Sequence, residues 1–167
     1  MDKLLLLPLA LLLSCNGTQL AHQSVNQQEQ RAEQQVQDQQ APIEQGIVGK
    51  VLWEEGNRMP SPDLPPGRPK GVQRTVFIYE LTNGAQAKTI DGVFHTNIQT
   101  NLVTQVVTDA NGNFAVSLKP GRYSLFTKEE KGLYANLFDG EHNIFPVEVQ
   151  QGQVTEVEFL INYKASY

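Results

Sequence analysis

The hydrophobic positions fall into three regimes along the chain. Leu4–Leu13 is an apolar run broken only by Pro8. Over 16–45 the large aliphatics are Leu20, Val25, Val36 and Ile43 alone. From Gly46 onward, apolar and polar positions alternate in short runs separated by turn residues, the period of half-buried strands. Ile47, Gly49, Val51 and Trp53 share one face of a first strand, which leaves Lys50 on the other. Thr75–Leu81 is apolar on both faces and predicts a central strand, with its second face partly covered. Leu102–Val107 is a further strand. Phe114, Val116 and Leu118 continue beyond an Asp109–Asn113 turn, and Pro120-Gly121 turns the chain into Tyr123, Leu125 and Thr127. Near the end, Val157, Phe159, Ile161 and Tyr163 alternate with Glu156 and Glu158. No long segment of 46–167 has a helical period, so the pattern predicts an all-β antiparallel sandwich or barrel there.

The first two regimes predict other things. Ten apolar residues are too few to cross a bilayer, which takes about twenty in a helix. Residues 1–14 therefore read as an export signal. The stretch 15–45 holds eleven glutamines and little that would offset the entropy of ordering, so it reads as a tether. Ser24-Val25-Asn26-Gln27 is a capping-box pattern and Pro42 discourages continuation, which predicts a marginal exposed helix over about 25–40.

Composition changes the picture in two ways. The chain has one cysteine, Cys15, which excludes an intramolecular disulfide framework. Net charge is −5, without a run of five like charges, which argues against a nucleic-acid partner. Residues 46–167 carry eleven basic and thirteen acidic residues, so any charged surface there is local.

Leu12-Leu13-Ser14-Cys15 resembles the lipobox of bacterial lipoproteins. The resemblance implies that Cys15 is lipidated, becomes the first residue of the mature chain and anchors it to a membrane. Asn16 follows, rather than the aspartate of inner-membrane retention, so the expected location is the outer membrane. A second resemblance lies in the sandwich region. Gly46-Ile47-Val48-Gly49-Lys50-Val51, Thr108-Asp109-Ala110-Asn111-Gly112-Asn113-Phe114 and Leu118-Lys119-Pro120-Gly121-Arg122-Tyr123-Ser124-Leu125 are similar to the carboxypeptidase regulatory-like domain. The chain resembles small Bacteroidetes lipoproteins of that type. This implies a transthyretin-like (Ig-like) sandwich of seven to eight strands over 46–167, without enzymatic activity or cofactor. The sequence departs from that pattern in a long proline-rich loop after the first strand and in an extra stretch, about 85–100.

The candidate chemistry is sparse. Asp109, Asn111 and Asn113 begin like a calcium loop, but Phe114 stands where glycine is needed and Pro120 where glutamate is needed. Asp139, Glu141 and His142 lack a second histidine at ligand spacing, so they read as a turn and no metal is expected. Lys50, Glu80 and Asn162 are the residue types of isopeptide-forming domains, but that bond needs a buried lysine and Lys50 alternates toward solvent. No nucleophile motif is present, and the chain is expected not to be an enzyme. Two surfaces remain. The loop with Arg58, Arg68, Lys70 and Arg74 against Asp63 is stiffened by five prolines and suits lipopolysaccharide phosphates, an acidic glycan or a partner protein. Tyr134 and Phe138 are candidate platforms for a sugar. The expected function is a lipid-anchored structural or protein-interaction module at the envelope; the alternative is a carbohydrate-binding module of a glycan-uptake system.

Overall fold

The computed structural model describes residues 43–59 and 67–167. The signal segment, Cys15, the expected helix at 25–40 and the loop residues 60–66 lie outside the described residues.

The alternating runs pair as the strands of two sheets. In chain order they are β1 (Gly46–Asn57), β2 (Lys70–Gly71), β3 (Thr75–Glu80), β4 (Lys88–Ile90), β5 (Phe94–Thr96), β6 (Leu102–Val107), β7 (Asn113–Ser117), β8 (Gly121–Glu129), β9 (Gly132–Tyr134), β10 (Pro146–Val149) and β11 (Val154–Ser166). β1 lies between β11 on one side and β7 and β2 on the other, a four-stranded sheet. The second sheet runs β4-β5-β9-β8-β3-β6, and β10 also pairs with β8.

The all-β sandwich holds, and two of its details differ from expectation. Among the described residues the strands number eleven rather than seven or eight. The additional ones, β2, β4, β5 and β9, are two or three residues long, too short to show a period of two. The first and last strands also pair in parallel, from Gly46 opposite Val154 to Asn57 opposite Ser166, with an irregularity after Trp53. Alternation tells which face a side chain takes and is silent on the direction of the neighbouring strand.

The inward faces interlock between the sheets. Ile47 and Val51 of β1, Val76 and Ile78 of β3, Leu125 of β8, and Phe159 and Ile161 of β11 are fully buried. Phe145 stacks on Phe159 with ring centroids 4.4 Å apart, and Tyr134 meets the same ring at 6.3 Å. Each fully buried aliphatic or aromatic side chain contributes about 1.5–3 kcal/mol over its exposed state. Gln45, at the end of the expected tether, is stitched to this body: it donates to Leu118 O and accepts from Gly152 N.

β8 is buried on both faces, from Tyr123 through Thr127. Its register places Phe126 opposite Phe77 and Ser124 opposite Tyr79, on the face turned away from Val76 and Ile78. That outer face is covered by the excursion that the sequence marks as extra. Asn83 caps a short 3-10 turn, Gly84–Gln86, through a capping box, and β4 and β5 follow as a hairpin. Thr82 fastens the excursion: its N–H donates to Ser124 Oγ, and its hydroxyl shares a 2.6 Å hydrogen bond with that of Thr100.

One glycine is dictated by packing. A Cβ on Gly49 would stand 2.6 Å from Val157 O and 2.7 Å from the Phe114 ring. Gly49→Ala forces β11 or the ring to move, and we expect it to lower the unfolding free energy by about 1–3 kcal/mol. Urea melts of the two proteins measure this, and coincident midpoints would contradict the packing argument.

Candidate functional site

The clearest juxtaposition of charged and aromatic groups lies at the far end of the β1 sheet. Lys70 sits directly across from Trp53 in the β1–β2 pair. Trp53 is half-buried and held edge-on by Tyr163, with ring centroids 5.3 Å apart. Two cations lie over its ring, the Arg74 guanidinium at 5.5 Å and Lys164 Nζ at 5.7 Å. Beside it is a small groove of about 170 Å³, lined by Trp53, Glu55, Arg58, Gly67, Arg68 and Lys70.

The four basic residues expected to act together divide into two pairs. Arg58 binds Glu54 at 2.9 Å and donates to Gly67 O, and its side chain is 8% exposed. Arg74 binds Glu129 Oε1 at 2.9 Å. Arg68 and Lys70 are exposed and make no ion pair among the described residues. The usable positive charge is therefore Arg68, Lys70 and Lys164. Neither Trp53 nor Lys164 stood out in the sequence, because the β1–β2 and β1–β11 pairings that bring them beside Lys70 are non-local.

Glu129 is a buried carboxylate with both oxygens engaged, since Tyr163 OH donates to Oε2 at 3.0 Å. Desolvation, and then the hydrogen bond and charge of Glu129, push the Tyr163 hydroxyl up to about 12. A spectrophotometric titration of the five tyrosines should show a late step for Tyr163, well above the usual 10, with buried Tyr134 raised as well. Glu129→Gln should bring that step down without normalising it, because desolvation, the larger cause, remains.

The aromatic candidates are corrected by the fold. Tyr134 is fully buried, so it offers no ring face to a sugar. Its hydroxyl donates to Asn162 Oδ1 at 2.8 Å, and Asn136 donates to the same oxygen at 2.9 Å. Phe138 is half-buried between His95 and His142, with centroids at 6.0 and 5.5 Å. Asn162 Nδ2 donates to Tyr167 OH, which in turn donates to Glu54 Oε2. Asn162 is thus engaged elsewhere than with Lys50, which is exposed, and Glu80 takes a bond from the Asn101 side chain.

The Asp139 cluster is a turn built like the one at Asp109. In each, the aspartate Oδ1 accepts from the backbone two and four residues on, and Oδ2 accepts from the asparagine amide four residues on. The residue before that asparagine has positive φ in both: Gly112 at 84° and His142 at 71°. The Asn143 side chain, ahead of the backbone donors and Arg122, holds the Asp139 carboxyl below its usual range. Among the described residues, no three His, Cys, Asp or Glu side chains are grouped as metal ligands.

His95, isolated in the sequence, is buried on the outer face of β5. Its Nε2 lies 3.1 Å from Ala135 O and its Nδ1 3.1 Å from Thr89 Oγ1, and its ring meets Phe126 edge-on. Nε2 carries the hydrogen toward the carbonyl, which leaves Nδ1 to accept from Thr89. Burial pushes its pKa below 6.5, against the raising effect of the Ala135 carbonyl. The unfolded chain then takes up this proton first, so the neutral ring stabilises the fold above pH 6.5 and this contribution is lost as pH falls toward the folded value. Urea melts between pH 7.5 and 5 should show the decline, and His95→Gln should reduce its slope.

No protein-family description, curated protein or solved structure matches this chain.

Proposed function

We propose that this chain is a non-enzymatic, lipid-anchored protein of the bacterial outer membrane whose β-sandwich serves as a structural or protein-interaction module. The anchor reading rests on the lipobox-like Leu12-Leu13-Ser14-Cys15. The module reading rests on the similarity to carboxypeptidase regulatory-like domains and on one geometric observation. Arg68, ahead of β2, with Lys70 of β2 and Lys164 of β11, presents charge without an ion pair among the described residues beside a pinned Trp53. The buried ionisable side chains, by contrast, are committed to internal bonds: Glu129 to Arg74 and Tyr163, His95 to Ala135 and Thr89. Groups so engaged hold the fold and leave recognition to the surface. The glycan reading through Tyr134 loses its support, because that ring lies in the core.

Two measurements test the proposal. Metabolic labelling with a palmitate analogue should tag the wild type and fail with Cys15→Ala; an untagged wild type removes the anchor. A photo-reactive residue at exposed Gln73, beside the Trp53 end, should give a discrete crosslinked adduct in cells, and one at Gln151, in the turn before β11, should not. Equal yields at both positions would remove the interaction face.

A further inference from the structure

The groove beside Trp53 contains an unmet hydrogen-bond donor. Arg58 Nη2 is occupied by Glu54 and Nη1 by Gly67 O, which leaves Nε–H buried without an acceptor. Leaving such a donor unpaired costs about 1–3 kcal/mol. Arg58 reaches this position because β1 ends at Asn57, and its backbone N–H is tied to Ser166 O at the end of β11. The guanidinium is thus held through both terminal nitrogens and the backbone through Ser166, with the Nε edge unused.

The remaining walls supply charge. Arg68 and Lys70 line the same groove, exposed and without an ion pair among the described residues. Among the described residues Glu55 is the acid that lines it, and it stands beside Lys164 in the β1–β11 register. Glu54 is neutralised by Arg58. Among the described residues the groove therefore holds two cations without an ion pair, beside a guanidinium edge with an unmet N–H and the indole of Trp53. Its volume of about 170 Å³ suits a small headgroup rather than a polymer.

We infer that this groove is a subsite for a phosphate monoester. A phosphate monoester carries about −1.5 to −2 charge and three acceptor oxygens, which matches Arg68, Lys70 and the Arg58 Nε–H together. A carboxylate brings half the charge, which leaves one of the two cations uncompensated. Neutral sugars make no use of the cations, and the Trp53 ring is taken up by Arg74, Lys164 and Tyr163 rather than open for stacking. A free phosphate and one carried on a lipid headgroup present the same chemistry to the groove. The inference rests on reading the Trp53 end as the interaction face.

Trp53 is the only tryptophan in the chain, so its emission reports on the groove directly. The detergent-solubilised full chain is titrated with inorganic phosphate at constant ionic strength, with chloride as the control. A second arm uses vesicles of phosphatidylcholine with and without phosphatidic acid. A saturable change in Trp53 emission with either phosphate source, absent with chloride and with plain phosphatidylcholine, is the expected result. Saturation by inorganic phosphate identifies the free group as sufficient, and saturation by phosphatidic acid alone assigns the lipid-borne form. Lys70→Gln, a surface change, should weaken binding about tenfold. Arg58→Lys keeps the charge opposite Glu54, removes the Nε–H and should weaken it as well. Lys119→Gln, in the turn before β8, should leave it unchanged, and circular dichroism melts confirm that each variant folds. A response that follows ionic strength alone, or one unaltered by Lys70→Gln, overturns the phosphate assignment. If Gln73 still crosslinks in that case, the interaction face stands and only the ligand class falls.

Discussion

The fold depends on the parallel pairing of its first and last strands. β1 and β11 run side by side from Gly46–Val154 to Asn57–Ser166, so everything between them is one long crossover connection. A parallel pair cannot be closed by a hairpin, and the connection here carries the whole second sheet. The entropy of closing so large a loop is offset by burial, and Phe159 and Ile161 of β11 are fully enclosed against residues of the second sheet. The same pairing sets Lys164 beside Glu55 and ties Arg58 to Ser166. The charged end of the domain is thus a consequence of its topology.

The polar groups inside this frame are tied to one another across the sheets. Glu129 joins Arg74 to Tyr163, and Asn162 gathers Tyr134, Asn136 and Tyr167. Each network runs from a strand of one sheet to a strand of the other, and its members have partners. A buried carboxylate or imidazole with both polar atoms bonded has its desolvation offset by those bonds. Charge that remains available lies where strands end and side chains reach solvent.

The sandwich is also asymmetric. One face of the second sheet packs on the core, and on the other His95 meets Phe126 and Phe138, with β4 and β5 continuing the sheet beyond β9. Thr82, with Ser124 and Thr100, fastens the excursion that carries them. The double-sided apolar run at Thr75–Leu81 correctly announced a covered outer face. What covers it was not legible, because β4 and β5 have three residues each and His95 carries no local signature.

The sequence by itself determined the all-β class, the inward positions of the long strands and the turns at Asp109–Asn113 and Asp139–Asn143, since alternation, glycine and asparagine chemistry act within a few residues. It also placed Lys50 toward solvent. Tertiary structure alone decided the rest. Tyr134 reads as half of an aromatic surface, yet its ring is enclosed because β9 lies between β5 and β8 and turns it onto Phe94, Phe159 and Tyr163. The basic residues at 58–74 read as one patch, yet Glu54 and Glu129 neutralise two of them, and Glu129 comes from a strand 55 residues away. Which charges are cancelled depends on strand register and on which ends meet, and those are properties of the folded pairings rather than of any local run of residues.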